Sequence, residues 1–262
     1  MNKKINFFDL GLYASSVTSM FLETLKKLKI TNYNIYGFEP RKIYYNYCER
    51  LRLLYPKPEK INFFNCAISD KEGLTKLHYS PNGVGDSIFK NKIASLAPDA
   101  SIPSFLQKYP DLVSNYLYSM GATMVSYETS ELEDGSIGLA NIHKAKIYKT
   151  HKPTEYENVQ SLIFSNWLKN NVSDLEDSIN ILKINIEGAE IHLFKDLADS
   201  GLIKHFDVFC GTGDDIEKIP ELSHRVEEYK NLLKDNDITI HRFSNWKSER
   251  NVNMKQMIEE LL

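Results

Sequence analysis

The sequence predicts an α/β fold in which a mostly parallel sheet carries helices on both faces. Three observations predict it. Over residues 5–65 short apolar runs alternate with longer segments of helical period, the β-α-β-α-β pattern of a parallel sheet. The alternation resumes near residue 160. Between the two stretches, and at their turns, acids and glycines gather where strands end.

The elements follow in order. Ile5–Asp9 is a strand closed by Leu10-Gly11. Ser15 to Lys29 reads as a helix, because Val17, Met20, Phe21, Leu25 and Leu28 recur at three- and four-residue steps. Lys26, Lys27 and Lys29 suit the negative end of its dipole. Asn34–Phe38 is the second strand, stopped by Glu39-Pro40. A helix from about Tyr44 to Leu54 ends before Pro56 and Pro58, and Ile61–Asn65 is the third strand. Lys71-Glu72-Gly73 has the composition of a hairpin turn, with Thr75–Tyr79 as its returning strand. From Asn82 to Glu157 prolines, serines and tyrosines are scattered without a long period. That stretch reads as an inserted cap or substrate-binding segment, assigned to residues 91–158, within a main domain of residues 1–90 and 159–262. After it come a helix at Ser161–Asn170, a strand at Ile179–Ile186 and a helix at Glu187–Ala198. A strand at Phe206–Cys210, a helix at Glu221–Lys234 and a strand at Ile238–Phe243 complete the pattern.

Composition narrows the function. The 262 residues are 42% hydrophobic and 26% charged, enough apolar material for a core and too much for a disordered chain. Thirty-two basic residues against thirty-five acidic ones give a net charge of -3, and only six of the basic residues are Arg. A protein tracking a nucleic-acid backbone is normally basic, so that partner is not expected. Cys48, Cys66 and Cys210 are isolated and suit a reducing cytosol. No run reaches the roughly 18 apolar residues of a membrane span, and Asp9 interrupts what could pass for a leader. A cytoplasmic location is the expectation.

Three strand ends carry candidate chemistry, because ligands of open α/β sheets sit outside the carboxyl ends of the strands. Asp9-Leu10-Gly11 offers an acceptor and a backbone that a ligand can approach, or an ordinary turn. Gly37-Phe38-Glu39-Pro40 ends the second strand with a carboxylate placed for the two hydroxyls of a ribose, or with a solvated acid before a helix-starting proline. Lys183-Ile184-Asn185-Ile186-Glu187-Gly188-Ala189-Glu190 runs a strand into two carboxylates and a glycine. Capping explains one of those acids more readily than the whole cluster.

Together FFDLG (Phe7–Gly11), YGFEP (Tyr36–Pro40), INFFNCAISDKEG (Ile61–Gly73) and KINIEGAE (Lys183–Glu190) resemble the FkbM-type family of S-adenosylmethionine-dependent methyltransferases. The resemblance covers residues of about 5–90 and 159–243. It implies a Rossmann-like class I methyltransferase fold, a seven-stranded sheet in the order 3-2-1-4-5-7-6, and O-methyl transfer to a sugar or other small metabolite. Carried over by position, Asp9 and Gly11 flank the methionine part of the cofactor, with Tyr13 and Ser15 in the same loop. Glu39, followed by Pro40, holds the ribose. Cys66 and Ala67 with Asp70 border the adenine, and Ser87 of Gly85-Asp86-Ser87 matches a serine-containing loop nearby. Asn185 and Glu187 lie where methyl donor and acceptor meet. The chain departs from the family at Tyr13, where Asn is usual, at Ser15, where Gly is usual, and at Asn185, where Asp is usual.

An alcohol acceptor must lose its proton to a base or through a metal. Glu187 is the first candidate base, with Asp214, Asp215 and His241 as further catalytic or metal-ligating groups and His205 as another imidazole. A divalent metal is left open. Tyr109, Tyr116, Tyr118 and Tyr127 could stack on an acceptor, build core or form the interface of a homo-oligomer. The expected partner is a small-molecule acceptor, a nucleotide sugar or glycan precursor. Two other readings are weighed. An NAD-type dehydrogenase is opposed by the absence of Gly-x-Gly-x-x-Gly after the first strand. A non-catalytic module with a degenerate methyltransferase fold draws on Tyr13, Ser15 and Asn185.

Overall fold

A computed structural model of the chain describes residues 3–13, 15–79, 122–131, 137–146, 155–213, 215–241 and 249–262. Among the described residues the main sheet has six strands: β1 (Ile5–Leu10), β2 (Tyr33–Phe38), β3 (Ile61–Phe64), β9 (Ile179–Ile184), β10 (Val208–Gly211) and β11 (Ile240–His241). They lie in the order β11-β10-β9-β1-β2-β3, and every pairing is parallel. β1 and β9 are buried along their whole length. Strands covered on both faces read as near-continuous apolar runs, and the polar residues within these two, Asn6 with Asn180 and Asp9 with Lys183, are buried as pairs across the strands.

Alternate side chains feed two cores. Phe7 stacks on Phe21 of α1 (Ser16–Lys27), with centroids 4.1 Å apart, on the face that also buries Cys48 and Leu51 of α2 (Lys42–Arg52). Phe8 points the other way and meets Phe164 and Trp167 of α3 (Phe164–Asn171) edge-on. The second core is closed by α4 (Glu190–Asp199) and α5 (Val226–Asp235). A last helix, α6 (Glu249–Leu261), returns to the first face and buries Met254 and Ile258. Sequence reading assigned nothing there, although Met254, Met257, Ile258 and Leu261 have helical spacing.

A smaller sheet holds β4 (Ala67–Ile68), β8 (Glu155–Leu162) and β5 (Gly73–Tyr79) in the order β4-β8-β5. β6 (Ala122–Glu131) and β7 (Ile137–Lys146) form an antiparallel pair of their own. Two expectations change here. Thr75–Tyr79 is a strand, but its partner is β8, eighty residues on, and not the chain before the Lys71–Gly73 turn. Ser161 is strand and the helix starts at Phe164, because Val159 is needed to close a small core with Ala67 and Leu77. β8 begins at Glu155, inside the range expected as the insert.

Further boundaries also move. The fourth main strand stops at Ile184 and α4 starts only at Glu190, since Glu187 and Gly188 take positive φ and interrupt the helix. The Glu221–Lys234 segment opens in a 3₁₀ turn, Pro220–Arg225, before α5.

Candidate functional site

Strand order reverses between β1 and β9, the point of an open α/β sheet outside whose carboxyl end ligands bind. Gly11 (φ +81°) lies in the loop after β1. A Cβ there would strike the carbonyl oxygen of Asn185, whose own N–H donates to the Leu10 carbonyl at 2.9 Å. The two loops touch backbone to backbone, and only glycine permits it. Tyr13 (φ +51°) and Ser15 (φ +58°) are also left-handed. Asn and Gly, usual at these positions in the family named above, adopt that geometry most readily. Tyr13 and Ser15 hold that geometry at a steric cost.

Asp9 is fully buried and spent inside the protein. Its Oδ2 accepts from the Thr18 hydroxyl at 2.6 Å, and its Oδ1 lies 2.8 Å from Lys183 Nζ. The same ammonium donates to the Gly11 carbonyl at 2.6 Å. Lys183 therefore ties β9 to the end of β1 and neutralises the acid. Sequence reading gave Lys183 no role. The signal was there, since a lone cation inside Ile179–Ile184 must find a partner when buried.

Glu39 directly follows β2 and lies against the loop that carries Tyr13. It is 5% exposed. Its Oε2 accepts the Tyr13 N–H at 2.8 Å and its Oε1 accepts the Arg41 N–H at 2.9 Å. Asn65 Nδ2 donates to the carbonyls of Glu39 and Pro40, so the end of β3 braces the turn. Cys48 lies beneath, its thiol 3.0 Å from the Tyr13 carbonyl. Burial first, then the charges of Glu39 and Asp9, push that thiol well above its ordinary range.

The other candidates separate. Ser15 is buried, with its hydroxyl 3.2 Å from the Tyr55 hydroxyl in the first core. Cys66 and Ala67 are buried beside β3, and burial pushes the Cys66 thiol up to about 12. Asp70 turns toward α4, where its carboxylate lies 3.7 Å from His192 Nδ1. Burial holds the His192 imidazole below its ordinary value, opposed by Asp70. Asn185 and Glu187 are half-buried in the loop opposite Gly11. His241 is exposed on the edge strand, in register with Cys210 and through it with Lys183, two strands from β9. Asp215 is buried in the turn after β10, and His205 Nε2 lies 3.7 Å from Glu176. Ser87, Asp214, Tyr109, Tyr116 and Tyr118 lie outside the described residues, and Tyr127 falls in β6. Among the described residues no three His, Cys, Asp or Glu side chains form a group that could hold a metal ion. No described helix is long and apolar enough to cross a membrane.

A family model described as "Methyltransferase FkbM domain" matches residues 9–233. Protein henna of Drosophila melanogaster is 31% identical over 139 residues, covering 48% of this chain. The chain spans about 30% of the length of that curated relative. No solved structure matches.

Proposed function

The chain belongs to the FkbM methyltransferase family, and from that premise we propose that it is an S-adenosylmethionine-dependent O-methyltransferase. Its acceptor in this reading is a small activated metabolite, a nucleotide-linked sugar or a surface-glycan precursor. The observation that carries the reading is the Glu39 carboxylate. Two backbone amides fix it at the end of β2, and a carboxylate held in this way is suited to accept from the paired hydroxyls of a ribose.

S-adenosylmethionine supplies a methyl group on a sulfonium, open to in-line displacement by an acceptor oxygen. The protein's work is then alignment and removal of one proton. Gly11 and Asn185 bring the two loops together at the strand reversal, beside Glu39. Lys183 holds the Gly11 carbonyl and pairs with Asp9, so that together they present no net charge. Glu187, from the loop opposite, takes the acceptor's hydroxyl proton. Asn185 can accept a hydrogen bond but cannot serve as a base. The segment before β8 supplies acceptor contacts in this reading.

Calorimetric titration with S-adenosylmethionine tests it. Glu39→Ala should weaken binding by about 1–3 kcal/mol with the fold retained. Unchanged affinity removes Glu39 from the ribose. Cofactor binding without turnover on any of a panel of sugar nucleotides would favour the binding-only reading, for which Asn185 in place of an acid is the specific support.

A further inference from the structure

Arg41 has two engagements that point in different directions. Its backbone N–H donates to Glu39 Oε1, on the cofactor side. Its side chain, 14% exposed, reaches to the smaller sheet. There the guanidinium carbon lies 3.9 Å from the ring centroid of Tyr79 and 5.1 Å from that of Tyr44. Arg41 Nε is 3.3 Å from Glu157 Oε1. A planar cation stacked on one ring and paired with a carboxylate is a specific contact that Lys cannot reproduce.

Tyr79 and Glu157 mark the two roots of the inserted segment. Tyr79 is the last residue of β5, paired in register with Glu155, the first of β8; Leu77 pairs with Glu157. Residues 80–154 join these two strands in the sequence. One arginine therefore holds the ribose carboxylate with its main chain and both roots of the insert with its side chain.

We propose that Arg41 is a positioning residue that couples occupancy of the Glu39 site by a nucleoside to the ordering of the insert's roots. The inference rests on the cofactor reading above. A ligand that draws on Glu39 tightens the turn carrying the Arg41 N–H, and the side chain transmits the restraint to Tyr79 and Glu157. By linkage the effect is reciprocal: a segment held at its roots favours the nucleoside-bound turn.

Because the two engagements use different parts of one residue, a side-chain substitution separates them. Hydrogen exchange of residues 73–79 and 155–162 is measured with and without S-adenosylhomocysteine. In the wild type the ligand should slow exchange there several-fold. R41M and E157Q should still bind the ligand, at most tenfold more weakly, and lose the slowing. E157Q alters the insert side only and leaves the Glu39 turn intact, so it serves if R41M folds poorly. Slowing that persists in both variants overturns the coupling. So does a wild type that binds the ligand with no change at the roots, or loss of all binding in a folded E157Q. A wild type that does not bind the ligand overturns the cofactor reading itself, and the coupling with it.

Discussion

Replacing Glu187 separates its backbone from its carboxylate. The residue sits at φ +57°, followed by Gly188 at φ +110°. A non-glycine residue held left-handed costs about 1–2 kcal/mol. Glutamine at the position keeps that strain and removes the charge. Glycine removes both, at a cost of about 0.4–1 kcal/mol in unfolded-chain entropy. Glu187→Gly should therefore be more stable than Glu187→Gln by roughly 0.5–1 kcal/mol, or about 1–4 °C in Tm for a chain of this size. If Glu187 takes the acceptor's proton, both variants should lose about a hundredfold or more in turnover. Differential scanning calorimetry reads the first quantity, and production of S-adenosylhomocysteine with an acceptor from the panel reads the second. Near-normal turnover in the Gln variant would refute the base and a metal-ligand role alike. A Gly variant less stable than the Gln variant would refute the strain argument. Strain retained at a chemically useful side chain is a trade that functional sites make.

Three other outcomes are expected. Gly11→Ala, which must place a methyl group on the Asn185 carbonyl at a left-handed φ, should lose more than about 2 kcal/mol in urea denaturation; a change under 0.5 kcal/mol would contradict the close approach. Lys183→Met should cost about 3–5 kcal/mol by stranding the buried Asp9 charge, and the double variant with Asp9→Asn should recover much of that; equal losses in single and double variants would show that the pair is not what matters. His192 has a folded-state pKa held below its ordinary 6.5, first by burial, so the fold binds its proton less readily than the unfolded chain does. Its contribution is present above pH 6.5 and is lost as pH falls through the folded value, so Tm of the wild type should drop more steeply below pH 6.5 than that of His192→Gln; parallel curves would exclude it.

The parallel architecture was legible because it is written in local terms. β1 and β9 are mostly apolar runs, α1 repeats its apolar residues at helical steps, and Glu39-Pro40 marks where β2 stops. The smaller sheet was not legible in the same way. β5 finds its partner in β8 across a segment of 75 residues, and no short-range pattern encodes that pairing. The same distinction holds at the site. The sequence places Asp9, Glu39 and Glu187 at strand ends, since strand termini follow from local composition. Which of them is held inside the protein depends on neighbours far along the chain. Lys183 is 174 residues from Asp9, and β9 brings it there by pairing Lys183 with Asp9 in register. Arg41 follows Glu39 by two residues, yet its contacts with Tyr79 and Glu157 exist only because the smaller sheet packs against the start of α2. Side-chain partners at such separations are set by strand register and packing, and those are properties of the folded chain alone.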